Sequence, residues 1–132
     1  VPNMTITNID NGTVLIGEGE FSDELLTFAG ADTLAEGTIL ARDSGTGKLV
    51  PFDPDDIGGV DHEIAKAVLT YAVTATGAGD VAIRALIRGR VNAGRLVVDD
   101  GASVTAAIRD QLRAYGITPV SVSQLSQLDT QD

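Results

Sequence analysis

Gly45-Thr46-Gly47-Lys48 is the first stretch whose residue types suggest chemistry, because a glycine-rich turn ahead of a lysine can cradle phosphate. A phosphate-binding loop needs Gly-x-x-x-x-Gly-Lys-Ser/Thr between a strand and a helix. Here Arg42 stands five residues before Gly47, Leu49 follows the lysine, and strand-forming residues lie on both sides. What remains is a glycine turn with an exposed lysine. Residues 53–63, DPDDIGGVDHE, offer Asp53, Asp55, Asp56, Asp61 and Glu63, hard oxygens of the kind calcium takes. The EF-hand order fails, since its fifth position is Ile57 and its twelfth Ile64. A solvated acidic loop is the plainer reading. His62 is the single histidine, and no Gly-x-Ser-x-Gly elbow accompanies it. One His with no Cys cannot furnish an ordinary zinc site. With no Trp and two Tyr, the chain also lacks the aromatic platforms that usually flank a glycosidase carboxylate pair. No catalytic residue, metal ligand or cofactor site is assigned, and the chain is read as a non-enzyme.

Arg84, Arg88, Arg90 and Arg95 carry a different kind of chemistry. Four of the nine basic residues fall within twelve positions of an otherwise acidic chain. Two readings follow from the same charge attraction. The arginines form a contact surface for an acidic partner, such as another copy of this chain, or they pair across strands with the protein's own carboxylates.

The elements that position these residues are mainly strands. Thr13 to Ile16 is a short apolar run ending at Gly17, and Glu20 to Phe28 alternates loosely, with Phe21, Leu26 and Phe28 as buried anchors. Thr38 to Arg42 and Lys48 to Val50 flank the glycine turn as a hairpin, closed by Pro51 and Pro54. Ala65 to Val73 reads as one strand, although 64–69 also fits a helix. After a turn at Thr76 to Asp80, Val81, Ile83, Ala85 and Ile87 alternate with Arg84, Leu86 and Arg88. Gly89 suggests a bulge, and 90–92 and 95–98 continue the sheet around Ala93-Gly94. One helix is clear: Ser103 as N-cap, then Val104, Ala107, Ile108, Leu112 and Tyr115 at helical spacing, and Gly116 as the terminating glycine. Ile117 to Val122 offers a last strand.

The chain is therefore read as mostly β or α+β, with a domain at 13–122, a flexible arm at 1–12 and a polar tail at 123–132. The 132 residues suit one domain. The core must come from Val, Ile, Leu and Ala, because aromatics are only 4%. A formal charge of −10 disfavours nucleic acid and anionic membranes as partners. The first ten residues show neither the basic stretch nor the apolar run of a signal peptide, and no segment approaches the roughly 20 apolar residues of a membrane span.

The ordered series of elements resembles the lambda-type phage head decoration family. The resemblance is carried by FAGADTLAEG at 28–37, GTILARDSGTGKLVPFDPDD at 37–56, the Thr-Gly-Ala-Gly-Asp turn, IRALIRGRVNAGRLVV at 83–98 and the following helix. It covers about residues 20 to 118, and the acidic loop, the N-terminal stretch and the tail depart from it. The resemblance implies a small β-tulip-like (barrel-like) fold with one helix on the C-terminal side. It also implies a homotrimer on the outer surface of the virion capsid, made and assembled in the host cytoplasm, with the major capsid protein as partner and no nucleic acid or membrane. It further implies an N-terminal arm that extends a capsid sheet. Here that arm is Thr5 to Leu15, with Thr5, Ile6, Thr7, Ile9, Val14 and Leu15 as candidate capsid-binding residues and Arg84, Arg88, Arg90 and Arg95 as candidate subunit contacts. The alternative is a small β-rich module that binds a ligand or glycan on a virion or cell surface.

Overall fold

A computed structural model describes residues 14–55, 61–99 and 101–121. The predicted arm at 1–12, with Thr5, Ile6, Thr7 and Ile9, and the tail at 123–132 lie outside the described residues, as does the middle of the acidic loop. In chain order the strands are β1 (Leu15–Phe28), β2 (Asp32–Leu34), β3 (Ile39–Arg42), β4 (Leu49–Pro51), β5 (Ala65–Val68), β6 (Val73–Ala75), β7 (Gly79–Asn92) and β8 (Ile117–Val120). Helix α1 (Ala106–Ala114) precedes β8, and a short 3-10 turn at Ala93–Arg95 follows β7.

Strands β1, β4, β3, β5 and β7 pair in that order, and β7 pairs back onto β1, so the sheet closes into a five-stranded barrel. Strand β8 adds to β7 in parallel, and β2 pairs with β6 as a separate ribbon. Closure removes most exposed strand edges. Pro119 lies in β8 at the remaining edge, where a missing N–H is tolerated.

Strands β3, β4, β5 and β7 each bury residues on both faces, whereas much of the outer face of β1 is open. Leu26, Leu40, Leu49, Ala67, Ile83 and Ala85 share one cluster, at least one from every barrel strand, completed by Phe28, Leu34, Val73 and Ala75. Their alternating neighbours Ile39, Ala41, Val50, Ala65, Val68 and Leu86 belong to a second cluster with Leu96, Val98, Ile108, Leu112 and Ile117. The first fills the barrel, and the second lies between barrel, helix and β8. This division explains why Ile39, Leu40 and Ala41 are buried in succession, as expected of a strand covered on both sides. Each fully buried leucine contributes about 1.5–3 kcal/mol.

The two apolar runs before residue 28 form one 14-residue strand, β1. Gly17 takes φ 74° within it, and the register against β7 shifts between Ile16 and Gly19 and again between Glu20 and Phe21. Gly19 faces Gly89. A Cβ on Gly19 would lie 2.5 Å from Leu86 Cδ1 and 2.9 Å from the Arg88 carbonyl, so the bulge predicted at Gly89 is a place where two backbones touch.

Several expectations need correction. Phe21 is 37% exposed rather than a buried anchor, because it sits on the outer face of β1 opposite Leu86. Ala65 to Val73 is two strands belonging to different sheets, β5 and β6. The 64–69 stretch is not helical, since β3 pairs with β5 through Ile39–Val68 and Leu40–Ala67. The helix starts later than expected. Its N-cap is Thr105, whose hydroxyl accepts from the Ile108 N–H at 3.3 Å, while Val104 packs on the core ahead of the helix. Tyr115 ends the helix exposed.

Candidate interaction surfaces

A shallow surface feature lies on the outer face of the β1–β7 ribbon. Asp23, Leu25 and Thr27 stand opposite Arg84, Ala82 and Asp80. A shallow trough of about 750 Å³ lies here, lined in part by Asp23, Leu25, Lys48, Tyr71, Ala82 and Arg84. The Tyr71 hydroxyl accepts from the Arg84 backbone N–H at 2.8 Å, which fixes the ring beside β7. On the other rim, Lys48 Nζ lies 2.6 Å from Asp80 Oδ2, and Thr27 donates to the same carboxylate at 2.8 Å. The lysine bond, followed by the threonine hydroxyl, holds the Asp80 carboxyl below its usual range. The lysine of the glycine turn thus ties the β3–β4 hairpin to the start of β7.

Two polar clusters tie the hairpin to its surroundings. Arg42 donates to Glu24 through two nitrogens, at 2.9 and 3.1 Å, and to the Gly47 carbonyl at 2.7 Å. Ser22 donates to Glu24 at 2.7 Å. By strand alternation Glu24 and Arg42 face the same way as Leu26 and Leu40, so this forked pair sits in line with the barrel interior. The bond to Arg42 lowers the Glu24 carboxyl against the opposing effect of burial, and the arginine is raised in turn. In the second cluster, Asp43 accepts from Gly45 N–H at 2.7 Å and Thr46 N–H at 3.0 Å, and its other oxygen lies 2.8 Å from His62 Nε2. The His62 bond is the main reason the Asp43 carboxyl is lowered. His62 also accepts from Asp53 N–H through its carbonyl, at 2.9 Å, closing the acidic loop. Its place is that of a tether. Among the described residues no group of three or more His, Cys, Asp and Glu is arranged to hold a metal ion.

The arginines do not gather into one patch. Arg84 Nε lies 3.4 Å from Asp23, Arg88 3.6 Å from Glu20 and Arg95 3.8 Å from Glu36. Arg88 lies over the α1–β8 turn, where a Cβ on Gly116 would meet its side chain at 3.2 Å. Arg90 is opposite Ile16 on β1 and Thr118 on β8. Arg95 stands where the N-terminal segment joins the barrel. There Val14 is fully buried, its N–H points at Glu36 Oε2 at 3.4 Å, and its carbonyl accepts from Asn92 N–H at 2.8 Å. Leu15 pairs with Val91 and is half-buried. The structure therefore places Val14 and Leu15 at the root of the predicted arm, packed into the domain. The trough and the forked Glu24–Arg42 pair escaped the sequence reading, because both join residues far apart in the chain with no local spacing to betray them.

The described residues thus form a closed barrel with a packed interior and one helix, with a shallow, charge-rimmed trough on the outer face. The model of the bacteriophage lambda head decoration protein D family matches residues 4–117. The chain belongs to that family, a family of structural capsid proteins of the phage head. No curated protein matches the chain.

Proposed function

We propose that this protein binds the outer surface of the expanded phage head as a homotrimer and stabilises the shell against internal DNA pressure. The observation that carries the reading is the family match over 4–117, which spans the barrel and most of the predicted arm. A protein that binds the expanded shell and not its precursor stabilises the expanded form by its binding free energy. Three modest contacts on one trimer act together as a far tighter one. The proposed docking element is the N-terminal arm, with Thr5, Ile6, Thr7 and Ile9 pairing to a strand edge of the major capsid protein. Such pairing uses backbone bonds and tolerates varied sequence. Val14 and Leu15 would anchor the arm, since Val14 is held in the core and bonded to Asn92. Assembly would take place in the host cytoplasm.

The test is binding of purified protein to expanded and precursor heads. Full-length protein is expected to load expanded heads only and to raise their resistance to heat. Deleting residues 1–11 is expected to abolish loading while leaving the oligomer at three times the mass of the shortened chain. Undiminished loading by the truncated protein would refute the arm's role.

A further inference from the structure

We propose that His62 and Asp43 form a proton-operated latch that holds both ends of the acidic loop, 53–55 and 61–63, against the β3–β4 hairpin. Three bonds meet at the Asp43 carboxylate. One oxygen accepts from the Gly45 and Thr46 N–H groups of the hairpin turn, and the other lies 2.8 Å from His62 Nε2. The His62 carbonyl in turn accepts from Asp53 N–H at 2.9 Å. One residue thus clasps the returning end of the loop to the turn through its ring and to the outgoing end through its backbone. The His62 and Asp43 side chains are largely covered, at 25% and 16% exposure, so the ion pair formed by a protonated ring is only partly screened by solvent.

Charge makes the ring the element that switches. Residues 49–65 hold five carboxylates, Asp53, Asp55, Asp56, Asp61 and Glu63, and no lysine or arginine. The flanking cations are committed elsewhere: Lys48 bonds Asp80, Lys66 lies over the Tyr115 ring, and Arg42 is forked onto Glu24. Apart from these cations, the described titratable groups of the segments meeting at His62 are Asp43 from the hairpin, Asp53 and Asp55 after β4, and Asp61 and Glu63 beside it; all are acidic. Glu63 Oε2 is buried with no hydrogen-bond partner among the described residues, so burial leaves it dependent on nearby positive charge. The His62 bond holds the Asp43 carboxyl below its ordinary 3.8, and the coupling is reciprocal, so the carboxylate favours the protonated ring. A ring favoured as the cation contributes stability that is complete below the unfolded value of about 6.5 and is lost as pH rises through the folded one. Asp43 contributes above 3.8 and loses its contribution as pH falls through its lowered value. The latch is therefore shut in mildly acid solution and loosens on the alkaline side, as the ring gives up its proton. A neutral ring can still donate from Nε2, but that bond lacks the charge that roughly doubles its strength.

The test is NMR of the full chain between about pH 5.5 and about pH 8.5, either side of the ordinary histidine value. The chain has a single histidine, so its ring gives one titrating set of signals. We expect His62 to titrate above about 6.5, and Asp43→Asn to lower its midpoint by about one unit or more. Exchange protection of the Asp53 N–H, corrected for the intrinsic effect of pH, should fall about tenfold across that range in the wild type, the equivalent of one unit of coupling. In His62→Gln, whose amide can donate to Asp43 but takes up no proton, protection should not change with pH. That variant carries the test if Asp43→Asn fails to fold. A wild-type ring that titrates at or below about 6.5, or Asp53 protection equal at both ends of the range, would overturn the latch. So would a His62→Gln protein whose protection falls as the wild type's does. A midpoint unmoved by Asp43→Asn would overturn it as well, because other carboxylates would then hold the proton.

Discussion

Gly37 shows how one residue can hold several elements together. Its N–H donates to the Leu69 carbonyl at 2.8 Å, and its own carbonyl accepts from Val97 N–H at 3.0 Å. Its φ is +94°, and a Cβ there would sit 2.0 Å from the Arg95 carbonyl oxygen. That oxygen belongs to backbone and cannot rotate away. Gly37→Ala is therefore expected to destabilise the fold by about 2–4 kcal/mol, combining left-handed strain with displacement of the 93–98 segment. Urea unfolding measures this, and a loss below about 1 kcal/mol would mean the segment yields freely. The Glu24–Arg42 pair predicts a pH dependence. Its carboxyl lies below its ordinary value of 4.5 in the folded protein, chiefly through the bond to Arg42. A lowered carboxylate contributes stability that is present above the unfolded value and is lost as pH falls through the folded one. Since Arg42 is about one-third exposed, Glu24→Gln should cost only about 1 kcal/mol at pH 7. The gap between wild type and variant should narrow below pH 4.5. An equal gap at pH 7 and pH 3 would show that ionisation of Glu24 is not what stabilises the mouth of the barrel.

Helix α1 contributes by covering the outer side of the barrel. Ile108 and Leu112 are its buried residues, both in the cluster with Ile39, Val68 and Ile117, and Gln111 accepts from Ala65 N–H at 2.7 Å. Leu112→Ala should cost about 2–4 kcal/mol by denaturant titration, because the strands beneath are too rigid to fill the space. An effect under about 1 kcal/mol would mean that the helix packs loosely. The helix was legible in sequence because its 3- and 4-residue spacing and Gly116 are local signals; only its start was misplaced, as Ser103 and Thr105 both carry capping hydroxyls. The β3–β4 hairpin was legible for the same reason, its turn glycines being flanked by apolar runs. What local patterning could not convey was pairing. Nothing in AKAVLTYAV says that β5 joins the barrel while β6 leaves to pair with β2. Strands buried on both faces lose the alternation that would assign a side. Phe21 differs from Leu26 and Phe28 because the register shift between Glu20 and Phe21 and the closure of β1 onto β7 put it on the outer face, which no local pattern reveals.

At the scale of the assembly, the proposed clamp must be weak in its parts and strong in sum. A single arm adding a short strand to a shell edge orders its own residues at a cost that offsets much of the backbone bonding gained. Once one arm of a trimer is docked, the other two search a small volume around their own sites, so each later contact forms at high effective concentration. Residence on the head should then depend steeply on the number of arms rather than in proportion to it. Full-length chains and chains lacking residues 1–11, unfolded together and refolded, give trimers with three, two, one or no arms, separable by a tag on one chain type. Each arm removed is expected to speed dissociation from expanded heads markedly, with about 10²- to 10⁴-fold separating the three-armed from the one-armed species. Dissociation measured by wash-off with excess unlabelled protein reads this directly. If one arm held as long as three, the arms would not be acting together, and the barrel's own face would have to carry the adhesion.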